Sequence, residues 1–84
     1  GPEHPSVATS LNNLAALYYT LGQYAQAEPL HRRSLEIYEK DYGPDQPHVA
    51  VSLNNLAGVY RKMSRDEEAR SLEQRAAHIS AKRG

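Results

Sequence analysis

The segment Leu11-Asn12-Asn13-Leu14-Ala15 occurs twice. It returns letter for letter as Leu53-Asn54-Asn55-Leu56-Ala57, 42 residues further on. Self-similarity at a fixed period of this size marks a stacked-repeat architecture, in which one unit cannot bury its apolar face alone. The match extends outward from this block. Val7-Ala8 returns as Val49-Ala50, Ser10 as Ser52 and Tyr18 as Tyr60, while Gly1-Pro2 and Pro5 return as Gly43-Pro44 and Pro47. Downstream it thins to Ala27/Ala69, Leu30/Leu72, Arg33/Arg75, Ile37/Ile79 and Lys40/Lys82. The 84 residues therefore form one small domain of two units, 1–42 and 43–84. Since Gly1-Pro2 aligns with Gly43-Pro44, it reads as part of the repeat and not as a scar of tag removal.

Each unit carries two helical patterns. Pro5 suits a first helical turn, where its missing N–H is no loss, and Ser6 is a second candidate cap. Val7, Leu11, Leu14, Ala15, Tyr18 and Leu21 then recur at spacings of three and four, one apolar face of a helix over about 5–21. Gly22 ends it by supplying left-handed backbone. The second helix, about 23–41, presents Tyr24, Ala27, Leu30, Ser34, Ile37 and Tyr38, with Leu35 beside them. Pro29 lies in its second turn and predicts a slight kink without a break. A loop over 42–46, punctuated by Gly43-Pro44, leads to Pro47 and a third helix over 47–63. That helix repeats the first face as Val49, Ala50, Leu53, Leu56, Ala57, Tyr60 and Met63. The fourth helix, about 65–82, departs from its twin: Asp66 replaces Tyr24, Ala77 replaces Leu35 and Ser80 replaces Tyr38. It keeps one narrow apolar stripe, Ala69, Leu72, Ala76 and Ile79. A polar outer face of this kind suits a terminal unit of a solenoid.

Composition narrows the function classes. Ten basic and ten acidic residues cancel, so no net charge argues for nucleic acid or an anionic membrane as principal partner. The absence of cysteine excludes a disulfide framework and any thiolate metal site. No apolar run approaches the roughly 18 residues of a membrane span, and no signal-peptide pattern is present. The expected location is the cytoplasm.

The small and aromatic residues fall into a known pattern. Leu14-Ala15, Tyr18, Gly22, Tyr24 and Ala27 in the first unit resemble the tetratricopeptide repeat signature. Leu56-Ala57, Tyr60 and Ala69 match it in the second, where Ser64 and Asp66 depart from it. The usual unit has about 34 residues. The longer unit here, with His4-Pro5, Leu11 to Ala15, Ala27 to Leu30 and Leu35 to Ile37, looks like that of the kinesin light chain group. The resemblance implies an all-α fold: two helix-turn-helix units, four antiparallel helices, a fragment of a right-handed α-solenoid. It also implies a non-enzymatic protein-interaction module that holds a partner peptide in a concave groove lined by the first helix of each unit.

On a helical wheel at about 100° per residue, the core face of the first helix is taken by Leu11, Leu14, Ala15 and Tyr18. About a quarter-turn away lie Thr9, Asn12, Ala16, Tyr19 and Gln23, matched one repeat later by Val51, Asn54, Gly58, Arg61 and Arg65. The resemblance places these positions on the groove. Asn12 and Asn54 lead the candidates, because an amide both donates and accepts and can pair with the backbone of an extended peptide. Placed one repeat apart, they suit a ladder. In kinesin light chains such asparagines hold peptides that combine acidic and aromatic residues. Ala16 and Gly58 keep the groove floor low. Arg61 and Arg65 suit a carboxylate, and Tyr19 suits a stacked ligand group. Each position also has a structural reading: the amides as solvated residues or bonds to a neighbouring helix, the arginines as an exposed pair, Tyr19 as packing. Asn13 and Asn55, further round the wheel, suit a structural bond between helices ahead of a ligand contact. The sequence leaves both sets open.

No catalytic constellation emerges. His4, His31, His48 and His78 show no metal-ligand spacing. His4 and His48 read as turn residues at helix starts, and His31 as an interface residue between units. Ser10 and Ser52 lack a nucleophile turn and a placed base, and there is no glycine-rich phosphate loop. No cofactor, metal or catalytic residue is expected. A second role stays open beside peptide binding. Two units fall short of the three that solenoids usually need, which suits a homodimer or packing against neighbouring repeats around Val7, Tyr19 and His31.

Overall fold

The computed structural model describes residues 4–83, so the Gly1-Pro2 end of the repeat match lies outside the described residues. Four helices follow one another: α1 Pro5–Thr20, α2 Tyr24–Tyr42, α3 Pro47–Lys62 and α4 Asp66–Arg83. Their bounds lie within a residue or two of those read from periodicity. α2 keeps Tyr42, assigned above to the loop, because its ring stacks on Tyr38 and His48 at centroid distances of 5.7 and 4.8 Å. Pro29 sits inside α2 without interrupting it. His4, not Ser6, caps α1: its Nδ1 accepts the Ser6 backbone N–H at 3.1 Å.

The two intra-unit turns are built alike. After α1, Gln23 N–H donates to the Tyr18 carbonyl and Gly22 N–H to that of Tyr19. After α3, Arg65 N–H donates to Tyr60 and Ser64 N–H to Arg61. These paired bonds are the Schellman closure, which requires a left-handed residue after the helix. Gly22 supplies it at φ 77°, and Ser64 adopts it at φ 62° despite its side chain.

α1 packs on α2, α2 on α3 and α3 on α4. The main core gathers Leu35, Ile37 and Tyr38 of α2, Leu53, Leu56 and Tyr60 of α3, and Ala69, Ala76 and Ile79 of α4. A second cluster joins Ala15, Ala27 and Val59. Ala15 and Ala27 are both fully buried, so the α1–α2 pair closes tightly near its turn. Deeper in the pair, Ser34 Oγ donates to the Ala8 carbonyl at 2.9 Å. The unit junction carries a buried polar tie: the Tyr60 hydroxyl donates to Glu28 Oε2 at 2.7 Å, and Arg32 lies 3.3 Å from the same oxygen. Burial, together with the bond to Glu28, pushes the Tyr60 phenol up to about 12.

The two units are not equally buried. Leu56 is 2% exposed and Val49 fully buried, whereas their counterparts Leu14 and Val7 are 42% and 41% exposed. Leu14 and Val7, expected on a core face from their spacing, are thus open to water. The cause is plain: α3 lies between α2 and α4, while α1 packs closely on α2 and otherwise meets α3 only at its groove edge. As foreseen, α4 presents a narrow stripe of Ala69, Ala76 and Ile79 with Leu72 half-buried. None of the helices among the described residues is long and apolar enough to cross a membrane.

Candidate functional site

α1 and α3 face each other across a groove. Its midpoint is marked by a single amide bridge, in which Asn55 Nδ2 donates to Asn12 Oδ1 at 3.4 Å. The repeated asparagines thus meet across the units in a staggered pairing, Asn12 with Asn55. Asn54 stays exposed beside the bridge. The stagger follows from helix geometry, since neighbouring residues on one helix point about 100° apart.

One hollow opens on each side of the bridge. The larger, about 380 Å³, is lined by Ala16, Tyr19 and Thr20 of α1, Asn54, Asn55 and Gly58 of α3, and His31 of α2. The smaller, about 190 Å³, is lined by Asn12 of α1, Tyr38 of α2, and Pro47, His48, Val51 and Ser52 of α3. Neither lining includes a charged carboxylate, lysine or arginine. Gly58 has open space where a Cβ would stand, which keeps the larger hollow deep. Its wall is braced by Tyr19, whose ring meets Tyr24 edge-on at 5.3 Å. In the smaller hollow the Tyr38 hydroxyl shares a hydrogen bond with Thr9 Oγ1 at 2.9 Å, and its ring lies 5.6 Å from that of His48.

His31 is the unusual member of the set. It is 4% exposed, and its Nδ1 is buried without a hydrogen-bond partner among the described residues. Burial holds the imidazole below its ordinary value, so the ring is neutral at pH 7. An unsatisfied buried nitrogen costs about 1–3 kcal/mol. Such an atom beside an open hollow is where a binding surface can hold unused hydrogen-bonding capacity.

The structure therefore gathers Ala16, Tyr19, Asn54 and Gly58 in one hollow, puts Asn12 at the bridge and in the other, and turns Thr9 onto Tyr38. Arg61 and Arg65 go elsewhere. Arg61 spans to α4, its Nε donating to Glu73 Oε2 at 2.9 Å and its Nη2 to Oε1. Arg65 forms the same two-pronged contact with Glu68, at 2.7 and 2.6 Å, and lies 4.3 Å over the Tyr60 ring. Bidentate pairing to the arginines holds both glutamates below the usual carboxylate range. Thr20, His31 and Tyr38 join the groove without being singled out for it, whereas Asn55 makes the bond between helices expected of it. His31 alone carried a sequence signal, a polar residue at a position that is usually apolar.

Among the described residues no group of three or more histidine or acidic side chains gathers to hold a metal. Compared with known families, the sequence matches the tetratricopeptide repeat over residues 6–82. No curated protein matches the chain.

Proposed function

We propose that this chain, which belongs to the tetratricopeptide repeat family, binds an extended peptide of a partner protein along the α1–α3 groove. Repeats of this family generally mediate protein–protein interaction or scaffolding. The observation that carries the reading is the pair of uncharged hollows flanking the Asn12–Asn55 bridge. Their α3 linings centre about six residues apart, or roughly 9 Å at 1.5 Å per residue. A peptide in polyproline II conformation returns to the same face every third residue, after roughly 9 Å, so its side chains at i and i+3 can enter the two hollows while Asn54 meets the backbone between them. The volumes and the phenol and imidazole rings suit aromatic or aliphatic anchors. An acidic residue in the ligand has to draw Arg61 or Arg65 away from Glu73 or Glu68. The 42-residue period and the His4-Pro5 and Leu11 to Ala15 stretches support a kinesin light chain-like subtype.

Selection of binders from a random-peptide display library, with the contacts mapped by amide chemical shifts, tests the reading. Selected peptides should shift the amides of Ala16, Tyr19, Asn54 and Gly58. Asn54→Ala should weaken them at least tenfold with helicity unchanged. Peptides that map to α4, or that bind the variant equally well, would refute it. A second reading, an assembly module, is favoured by one observation: the face of α1 that points away from α2 and the groove is apolar and uncovered.

A further inference from the structure

Val7, Leu14, Leu17 and Leu21 are 41%, 42%, 54% and 60% exposed, and with exposed Ser10 they form one stripe along α1. Their counterparts one repeat later are Val49, Ser52, Leu56, Val59 and Met63. Four of these five are at most 2% exposed and Met63 packs on the core. The same face is therefore dry in one unit and wet in the other, and the molecule itself shows what dries it: an apposed helix.

Three features point to a particular occupant. First, α4 is not made to cover the stripe head to tail. α2 meets α3 with Glu28, Leu35 and Tyr38, whereas the equivalent α4 positions are Arg70, Ala77 and Ser80, all exposed and without a large apolar side chain. Second, the stripe is its own complement. Val7 and Leu21 lie seven residues to either side of Leu14, so an antiparallel copy sets Leu14 on Leu14 and Val7 on Leu21, with Leu17 reaching the open edge of half-buried Leu11. Third, α1 contains no charged residue, so no like charges meet across a two-fold axis. We infer that this face of α1 seats the same face of a second copy, the two α1 helices crossing antiparallel at Leu14. The inference rests on the assembly reading above and names its partner. At about 100° per residue the stripe lies on the opposite side of α1 from Asn12, Ala16 and Tyr19. The dimer therefore leaves both grooves open, facing away from each other.

Sedimentation equilibrium across a concentration series tests this. The wild type should pass from 9.4 kDa to twice that mass and stop there. Leu14→Glu and Leu14→Arg each place like charges on the axis, and like-charge contacts cost several kcal/mol. Each variant alone should associate about a hundredfold more weakly or worse, with its circular dichroism unchanged because Leu14 is half exposed in the single chain. Mixed together they should recover the dimer as an equal pair. A wild type that stays at 9.4 kDa into the millimolar range overturns the inference, as does mass that climbs past two copies, or a dimer indifferent to both charges. One further chain separates this inference from the reading beneath it. Residues 1–42 are duplicated in phase ahead of the sequence, which places another α2 over the stripe. If the wild type is monomeric and the longer chain is markedly more stable, the two-fold dimer falls and the assembly reading stands. If neither effect appears, both fall.

Discussion

Leu14 and Leu56 are the same residue at the same repeat position, and the structure predicts that truncating them has different costs. Leu56 is 2% exposed between α2 and α4. Leu56→Ala removes three buried carbons worth about 0.8 kcal/mol each and leaves a cavity, for a total of about 2–5 kcal/mol. Leu14 is 42% exposed. Roughly half of the same transfer term applies there, and no cavity forms because the site opens to water, so Leu14→Ala should cost about 1 kcal/mol. A domain of this size has a total stability of about 4–12 kcal/mol. Leu56→Ala therefore removes a large share of it, and the midpoint of thermal unfolding should fall by roughly 10 °C or more. Urea unfolding followed by circular dichroism gives both values, with a common m-value as the check on two-state behaviour. Protein concentration must be kept low enough for α1 to remain unpaired. Costs within about 0.5 kcal/mol of each other would refute the argument that α3 is covered on two sides and α1 on one.

Tyr60→Phe should destabilise the chain by about 1.5–3 kcal/mol, because it strips a buried carboxylate of its charge-assisted bond and leaves Glu28 to Arg32 alone. Ultraviolet titration of the six tyrosines should show one late step at about 12 that this variant loses. Since that folded value lies above the ordinary 10, the phenol's contribution to stability is intact below pH 10 and is lost as pH rises toward 12. The His31 imidazole is shifted the other way, below 6.5. The unfolded chain then binds the extra proton first, so stability is full above pH 6.5 and falls below it, by up to about 1.4 kcal/mol per pH unit. Denaturation on both sides of that pH should show His31→Leu with the smaller slope, and equal slopes would contradict the assignment. Ser64→Gly should raise stability by about 0.5–1 kcal/mol, since a left-handed non-glycine residue costs about 1–2 kcal/mol and glycine returns part of that gain as backbone entropy. Gly22→Ala should lower stability by about 1 kcal/mol or more, and the pair of thermal midpoints reads both.

Much of this molecule is fixed locally. The period of 42 residues, the three-and-four spacing of apolar residues, the prolines at helix starts and Gly22 at the first turn are each short-range features. They determine four helices within a residue or two, the two-unit plan and the family. The wheel places Ala16, Tyr19, Asn54 and Gly58 on one side because side-chain direction along a helix depends only on residue count. What the wheel does not carry is the identity of the neighbours. Leu14 and Leu56 are indistinguishable in the sequence, and only the stacking order exposes one and buries the other. Arg61 and Arg65 look like free groove cations until α4 brings Glu73 and Glu68 within reach. Asn12 meets Asn55 and not Asn54 because of how far α3 is turned and shifted against α1. The sequence by itself determined the helices and their faces, since these follow from backbone geometry. The tertiary structure decided which of those faces are covered, which charges are paired and where the hollows open, because each depends on contacts between residues tens of positions apart.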